Sequence, residues 1–139
     1  MGSPDAYFAL APETALYEAV FRREAASVSI SLLAQRELLA IQLIADVQLL
    51  DLRGHASVPV LQSLRFAETH ELALQAWRSG VDGMIYKSAQ QFGQDCVVLF
   101  DPPASATKSL WKTRLVNEYG AVSRWVAFAA RASGMPLVP

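Results

Sequence analysis

Two short apolar runs follow one another in the second half of the chain, and they constrain the fold more than any other feature. The first, GMIY, occupies residues 83–86, and the second, DCVVLF, occupies residues 95–100. Short apolar runs separated by a polar turn, here AQQFGQ, are typical of buried β-strands. We therefore expect two strands, with Ser88 just beyond the end of the first, where rigid scaffolds usually hold binding or reactive groups.

Further strand-like segments alternate with segments of helical spacing. Residues 5–10 predict a strand, and residues 11–27 predict a helix that has Pro12 in its first turn and Glu13 near its N-terminus. Residues 28–35 predict a strand or a loop. Residues 37–52 hold too many apolar side chains for an amphipathic helix, so they predict a strand, a bend near Asp46 and a second short strand.

The remaining segments continue this pattern. Residues 55–64 predict a short, imperfect helix, and Thr69 is a plausible N-cap for a helix that ends at Gly80. Three side chains of that helix are expected to face inward: Leu72, Ala76 and Trp77. Residues 109–116 predict another strand, and residues 120–134 an Ala-rich helix closed by Gly134. The alternation predicts one mixed α/β or α+β domain over residues 1–139, which is long enough for a single core.

Composition excludes several functional classes. The net charge is −1, from 12 basic and 13 acidic residues without clusters, which argues against nucleic-acid binding. The longest uncharged apolar stretch, residues 38–45, is too short to span a membrane, and the N-terminus does not have the pattern of a signal peptide. The single cysteine, Cys96, cannot form an internal disulfide and suits a reducing compartment, so we expect a cytoplasmic protein.

The familiar motifs of catalysis and metal binding are also missing from the sequence. It has no phosphate-binding glycine loop and no Gly-x-Ser-x-Gly elbow. His70-Glu71 is not followed by the second histidine of a zinc helix, and His55 is the only other histidine, so we expect no metal site.

Three residues remain as candidates, and each has an ordinary structural alternative. Glu18 lies in an apolar helical segment, where an unpaired buried carboxylate is costly; alternatively, it is partly exposed and paired with Arg22. Ser88 follows a strand, but serine is also common in turns. Tyr7 lies in a short strand, where a tyrosine is ordinarily part of the core.

Taken together and in this order, these residues resemble the RES domain family, which is named for an arginine, a glutamate and a serine. The matching segments are YFALAPETALYEAVFR and GVDGMIYKSAQQFGQDCVVLF, and the resemblance covers roughly residues 5–101. Members of this family are typically the toxins of RES–Xre toxin–antitoxin pairs. The resemblance therefore implies an Xre-type antitoxin as a partner, and homo-oligomerisation stays open.

The resemblance implies NAD chemistry on an ADP-ribosyltransferase-like fold, with a split β-sheet core flanked by helices. Family members cleave the bond between nicotinamide and ribose and pass ADP-ribose to phosphate, to water or to a protein. Carried over to this chain, Glu18 and Ser88 match the catalytic residues. Tyr7, Arg22 and Ser88 would contact NAD: the tyrosine near nicotinamide, the arginine at the diphosphate or beside Glu18.

The chain departs from the family pattern in one respect. The family arginine lies upstream of the tyrosine strand, whereas this sequence begins at Met1, shortly before Tyr7. We therefore expect the N-terminal part of the family domain to be missing. Four functions stay open: an NAD-consuming toxin, a protein ADP-ribosyltransferase, a binding module without catalytic activity, and an ordinary metabolic α/β protein.

Overall fold

A computed structural model describes residues 5–54, 67–91 and 93–139. These residues form an α+β fold, as predicted. In chain order its elements are β1 (Asp5–Ala9), α1 (Pro12–Ala19), β2 (Val28–Ser29), α2 (Ile30–Leu33), β3 (Glu37–Leu43), β4 (Leu49–Asp51), α3 (Ala67–Arg78), β5 (Gly83–Lys87), β6 (Asp95–Phe100), β7 (Thr107–Arg114), α4 (Arg124–Ser133) and β8 (Leu137–Val138). The short helix predicted for residues 55–64 lies outside the described residues.

The central sheet has four strands in the order β1-β6-β5-β4. Strand β6 is antiparallel to both of its neighbours, β1 and β5, whereas the edge strand β4 runs parallel to β5. The two apolar runs that were predicted as strands are thus β5 and β6, and they pair directly. Their register places Tyr86 opposite Cys96 and Met84 opposite Val98.

Helix α3 packs on one face of this sheet. Ala76 is buried against Met84, Val98 and Phe100. The prediction that Trp77 faces inward is wrong, because this side chain is 42% exposed. Adjacent helical residues differ by about 100° in direction, so burial of Ala76 turns its neighbour outward. The helix begins at Ala67, so Thr69 is not its N-cap.

A second core lies between the other helices and β3. Its buried residues include Leu16, Phe21, Leu33 and Val126. Helix α1 supplies part of this core but ends at Ala19, so the prediction of a helix to residue 27 is wrong. The backbone N–H groups of residues 20 and 21 both donate to the carbonyl of Leu16, which ends the helix and turns Phe21 into the core. Helix α4 is closed as predicted by Gly134, at φ 68°.

The remaining strands form two small sheets. β2 pairs with β8 in parallel, and β3 pairs with β7 in an antiparallel ribbon. Strand β3 ends at Leu43 and β4 begins at Leu49, which confirms the predicted bend near Asp46. Within the residues that the structure describes, no helix is long and apolar enough to cross a membrane.

Candidate functional site

One end of the central sheet presents two tyrosines and the cysteine on a single face. Tyr86 lies directly opposite Cys96, and Tyr7 lies opposite Val98, two residues further along β6. Because side chains alternate between the faces of a sheet, Tyr7, Tyr86 and Cys96 share one face. Helix α3 covers the neighbouring part of that face. The end with Cys96 is contacted instead by α1.

Glu18 of α1 contacts this face. The Ser88 hydroxyl donates a hydrogen bond of 2.5 Å to Glu18 Oε1. The Cys96 thiol lies 3.5 Å from the same oxygen and also donates to it. The fold therefore brings together the two residues that were predicted as catalytic, although they are 70 positions apart in the chain.

Ser88 uses its whole hydrogen-bonding capacity within the protein. Its hydroxyl oxygen accepts hydrogen bonds from the backbone N–H groups of Gln90, at 3.1 Å, and Gln91, at 2.9 Å. Together with the bond that it donates to Glu18, this satisfies one donor and two acceptor positions. The side chain is only 5% exposed. Ser88 is thus placed to orient the Glu18 carboxylate.

The side chains of Gln91 and Gln90 also join the Ser88–Gln91 loop to α1 and to the segment that follows α1. The Thr14 hydroxyl donates to Gln91 Oε1 at 2.7 Å, and the backbone N–H of Arg23 donates to Gln90 Oε1 at 2.7 Å. Thr14 is 1% exposed, and its buried hydroxyl is tolerated because the hydrogen bond to Gln91 satisfies it. These bonds fix the position of the loop relative to the helix, so that Glu18 and Ser88 stay in contact.

Arg22 lies next to Glu18 but does not pair with its carboxylate. The Arg22 guanidinium donates to the backbone carbonyl of Glu18 and forms an ion pair with Glu24 at 2.8 Å. The alternative of a Glu18–Arg22 ion pair is therefore wrong. Helical spacing would place Arg22 one regular turn after Glu18. The helix ends between the two residues, so this arrangement does not form.

Tyr7 is 69% exposed, so the alternative that it belongs to the core is wrong. Partial burial and the negative charge of Asp5 raise the pKa of its hydroxyl. Burial also raises the pKa of Tyr86, and the negative charges that Cys96, Glu18 and Tyr7 carry when they are ionised add to this effect. The two tyrosines are therefore protonated hydrogen-bond donors at neutral pH.

Sequence reasoning did not include Tyr86 and Cys96 among the site residues. Both lie in the apolar runs that predicted the strands. Cys96 is only 1% exposed, and its thiol contacts Glu18. The sequence did contain a signal for Tyr86. It lies two residues before Ser88, and this spacing places it near the end of the strand that leads to the site.

A charged cluster holds the same strand ends together from the opposite face. Lys87 pairs with Asp95 at 2.8 Å, and Arg53 pairs with both Asp95 and Asp51, at 3.2 and 2.9 Å. Lys87 and Asp95 directly precede Ser88 and Cys96 in the chain. The hydrogen bonds from Arg53 lower the pKa of Asp51 to about 2. The cluster links the ends of β4 and β5 to the start of β6.

A cavity of about 530 Å³ lies beside the site, lined by residues that include Tyr17, Phe21, Gln90, Gln91 and Met135. It shares the two glutamines with the Ser88–Gln91 loop. Neither Glu18 nor Ser88 lines it, so the contact between these two residues belongs to the sheet face and not to this cavity. Among the described residues, no group of three or more His, Cys, Asp or Glu side chains is arranged to hold a metal ion.

The buried thiol predicts a loss of stability at alkaline pH. Burial, first, and then the charge of Glu18 and the hydrogen bond to it raise the pKa of Cys96 from 9.0 to about 12. The unfolded chain loses this proton near pH 9 and the folded protein only near pH 12. The folded state therefore binds more protons in between, and stability falls as the pH rises. We expect Cys96→Ala to reduce this slope by about 1 kcal/mol per pH unit.

Urea unfolding between pH 8 and pH 11 measures the slope for both proteins. The fold also raises the pKa of Tyr86, so ionisation of this tyrosine lowers the stability at alkaline pH as well. Part of the slope should therefore remain in the Cys96→Ala variant. An identical slope in the two proteins would show that the Cys96 thiol is not protected from ionisation by the fold.

Comparison with known proteins supplies the family. The model of the RES domain matches residues 2–116, which is most of the chain. This match includes β1, α1 and the β5–β6 pair, and therefore Glu18, Ser88 and Cys96. No curated protein and no solved structure gives a significant match. The match over residues 2–116 shows that the chain belongs to the RES domain family.

Proposed function

We propose that this protein cleaves NAD at the bond between nicotinamide and ribose and transfers ADP-ribose to phosphate or water. The observation that carries the proposal is the Glu18 carboxylate, which Ser88 holds at 2.5 Å beside a sheet face that presents an exposed tyrosine. Membership of the RES domain family, which is associated with toxin–antitoxin pairs and with NAD, supports the same chemistry.

The chemistry requires a fixed negative charge. When the bond from ribose carbon to nicotinamide nitrogen breaks, its electron pair leaves with nicotinamide, and positive charge develops on the ribose. A carboxylate in a fixed position stabilises this charge in the transition state, as it does in glycoside hydrolysis. An oxygen of phosphate or water then forms the new bond to the ribose carbon, and an attacking water molecule releases one proton to the solvent. Glu18 is the residue that supplies the carboxylate.

The neighbouring residues suit the binding of NAD as a substrate. The exposed ring of Tyr7 can stack on the flat nicotinamide ring, and the Tyr86 hydroxyl lies on the same sheet face. Arg22 lies beside Glu18 with 27% of its side chain exposed, which leaves it accessible to the diphosphate. In this proposal Ser88 acts through Glu18, because its own hydrogen bonds are already used.

The proposal is tested by incubating the purified protein with NAD in the presence and absence of phosphate and quantifying the products by chromatography. We expect nicotinamide release in both conditions, with phosphorylated ADP-ribose as the product when phosphate is present and ADP-ribose when it is absent. If NAD is not consumed in either condition, the proposal is wrong. Transfer to a protein would appear as label from NAD that remains on a protein band.

A partner is part of the proposed function. Toxins of this family are paired with antitoxins, so we propose that an Xre-type antitoxin binds this protein. Co-expression with the cognate antitoxin should restore growth in cells that produce the protein. Growth inhibition that the cognate antitoxin does not relieve would contradict this part of the proposal.

Ser88→Ala should lower the rate of catalysis more than it weakens substrate binding. The variant loses the hydrogen bond that orients Glu18 and leaves two partly buried N–H groups without their acceptor, which costs about 1–3 kcal/mol of stability. We expect kcat to fall about tenfold, since a misplaced catalytic group loses transition-state stabilisation. KM should change little, because Ser88 does not contact NAD in this proposal.

Ser79→Ala is the matched control. The Ser79 hydroxyl also donates a short hydrogen bond, to the carbonyl of Ala76, but at the end of α3 and away from Glu18. It should leave kcat and KM unchanged. A rise in KM with unchanged kcat in Ser88→Ala would mean that Ser88 binds substrate directly.

A further inference from the structure

Strand β3 is apolar on both of its faces, although one face is exposed. Leu38 points towards the helical core and is 7% exposed, whereas Leu39 and Leu43, on the other face, are 51% and 39% exposed. A strand with one solvated face normally alternates apolar and polar residues, and a continuous apolar run is typical of a strand covered on both faces. The apolar side chains on the exposed face of β3 are therefore available to pack against the side chains of a strand that is added beside it.

The two outer edges of the β3–β7 ribbon differ in their protection. Strand β7 carries Lys108, Lys112 and Arg114, and its pairing with β3 skips Leu110 at a bulge. Lysines and bulges are the usual means by which an edge strand is kept from pairing with another chain. Strand β3 is regular and uncharged from Leu38 onwards, and no other strand in the described part of the chain pairs with it.

The ribbon is held in place by an aromatic contact. Trp111 of β7, which pairs with Ala40 of β3, stacks on Trp125 of α4 with a centroid distance of 6.4 Å and an interplanar angle of 7°. The Arg124 guanidinium lies 4.8 Å from the centre of the Trp125 ring. An edge that is fixed to the core in this way is preorganised for strand addition, because little further ordering is needed when a partner binds.

We infer that two copies of this protein associate through antiparallel pairing of their β3 strands, which joins the two ribbons into one sheet in the order β7-β3-β3-β7. A two-fold axis at Ala40, the centre of β3, places Leu39 of each copy opposite Ile41 of the other and Glu37 opposite Leu43. The two Glu37 carboxylates then lie about 20 Å apart, beyond the range of strong repulsion at physiological salt.

A second copy fits this edge because the strand is complementary to itself. The only charged residue of β3, Glu37, lies at one end, so antiparallel pairing brings no like charges together. Pairing through β7 would instead bring two strands with Lys108, Lys112 and Arg114 against each other. Like charges that face each other across a strand pair are destabilising. The charge pattern therefore selects β3 as the contact.

The test is sedimentation velocity over a range of protein concentration, with three variants. Leu39→Lys and Ile41→Glu each place a charge at the contact and should raise the dimer Kd about tenfold or more. An equal mixture of the two variants should recover the dimer, because the introduced lysine of one copy lies opposite the introduced glutamate of the other. Leu32→Lys is the control: Leu32 is 61% exposed and lies outside the ribbon.

The dimer is expected for the unchanged protein and for Leu32→Lys. A monomer at every concentration would overturn the inference, and so would a dimer that Leu39→Lys and Ile41→Glu leave intact. Failure of the mixture to recover the dimer would exclude the register centred on Ala40. Circular dichroism of each variant checks that the fold is retained. None of these outcomes depends on NAD cleavage, since the contact lies away from Glu18 and Ser88.

Discussion

Glu18→Gln should lower the rate of NAD cleavage about 10²- to 10³-fold, which is the usual cost of removing one group that stabilises charge in a transition state. Glutamine has nearly the same shape as glutamate, and its carbonyl oxygen can still accept the hydrogen bond from Ser88. In the proposed reaction, what the variant loses is the negative charge beside the developing positive charge on the ribose. The fold should therefore be retained while catalysis is lost, as measured by nicotinamide release.

Glu13→Gln is the matched control for this experiment. Glu13 belongs to the same helix and undergoes the same chemical change, but it lies in the first turn of α1. NAD cleavage should be unchanged in this variant, and the stability should fall by no more than about 1 kcal/mol through the helix dipole.

A cellular experiment separates catalysis from binding. If the protein inhibits growth by consuming NAD, Glu18→Gln should abolish the inhibition. Growth inhibition that survives this substitution cannot depend on catalysis and would favour a binding module. Full NAD cleavage by the purified variant would show that Glu18 is not the catalytic carboxylate.

Gly83→Ala should destabilise the central sheet strongly, with a loss of about 3 kcal/mol. Gly83 begins β5, and a Cβ atom at this position would collide with the backbone carbonyl oxygen of Val98 in β6. Backbone atoms cannot move aside as a flexible side chain can, so the strands must separate. Urea unfolding measures the loss as a lower midpoint.

Gly54→Ala is the corresponding control, because a Cβ atom at Gly54 would meet no atom within 4 Å. Its stability should stay within about 0.5 kcal/mol of that of the unchanged protein. Equal midpoints for Gly83→Ala and Gly54→Ala would contradict the close packing of β5 on β6. A shift of β5 should also reach the site, since the strand ends at Lys87, directly before Ser88.

Local sequence patterns predicted most of the strands and the α+β class. The apolar runs of β5 and β6 and the bend between β3 and β4 are visible because apolar periodicity reports secondary structure directly. The same patterns gave wrong predictions where tertiary packing determines the end of a helix or the direction of a side chain. Helical spacing continued past Ala19, but burial of Phe21 ends the helix there, and Trp77 is turned outward although the pattern placed it inward.

The candidate site was predicted in part, through the resemblance of its motifs to a family. Glu18 and Ser88 were identified as a pair, and the structure brings them into contact. The pairing of Arg22 with Glu18 was weighed as an alternative and is wrong, because the partner of a long charged side chain depends on the exact end of the helix. The exposure of Tyr7 likewise depends on which elements cover the sheet, and no local pattern records that.

The sequence by itself determined the elements and the residue types that enter them, because apolar spacing and turn residues act over a few positions. It also determined an unusually apolar β3. Only the tertiary structure decided that the Cys96 thiol and the Ser88 hydroxyl bind the same oxygen of Glu18, and that one face of β3 is left exposed. These arrangements depend on strand register and on packing between segments far apart in the chain. Local sequence patterns do not specify them, because they form only when the whole core packs.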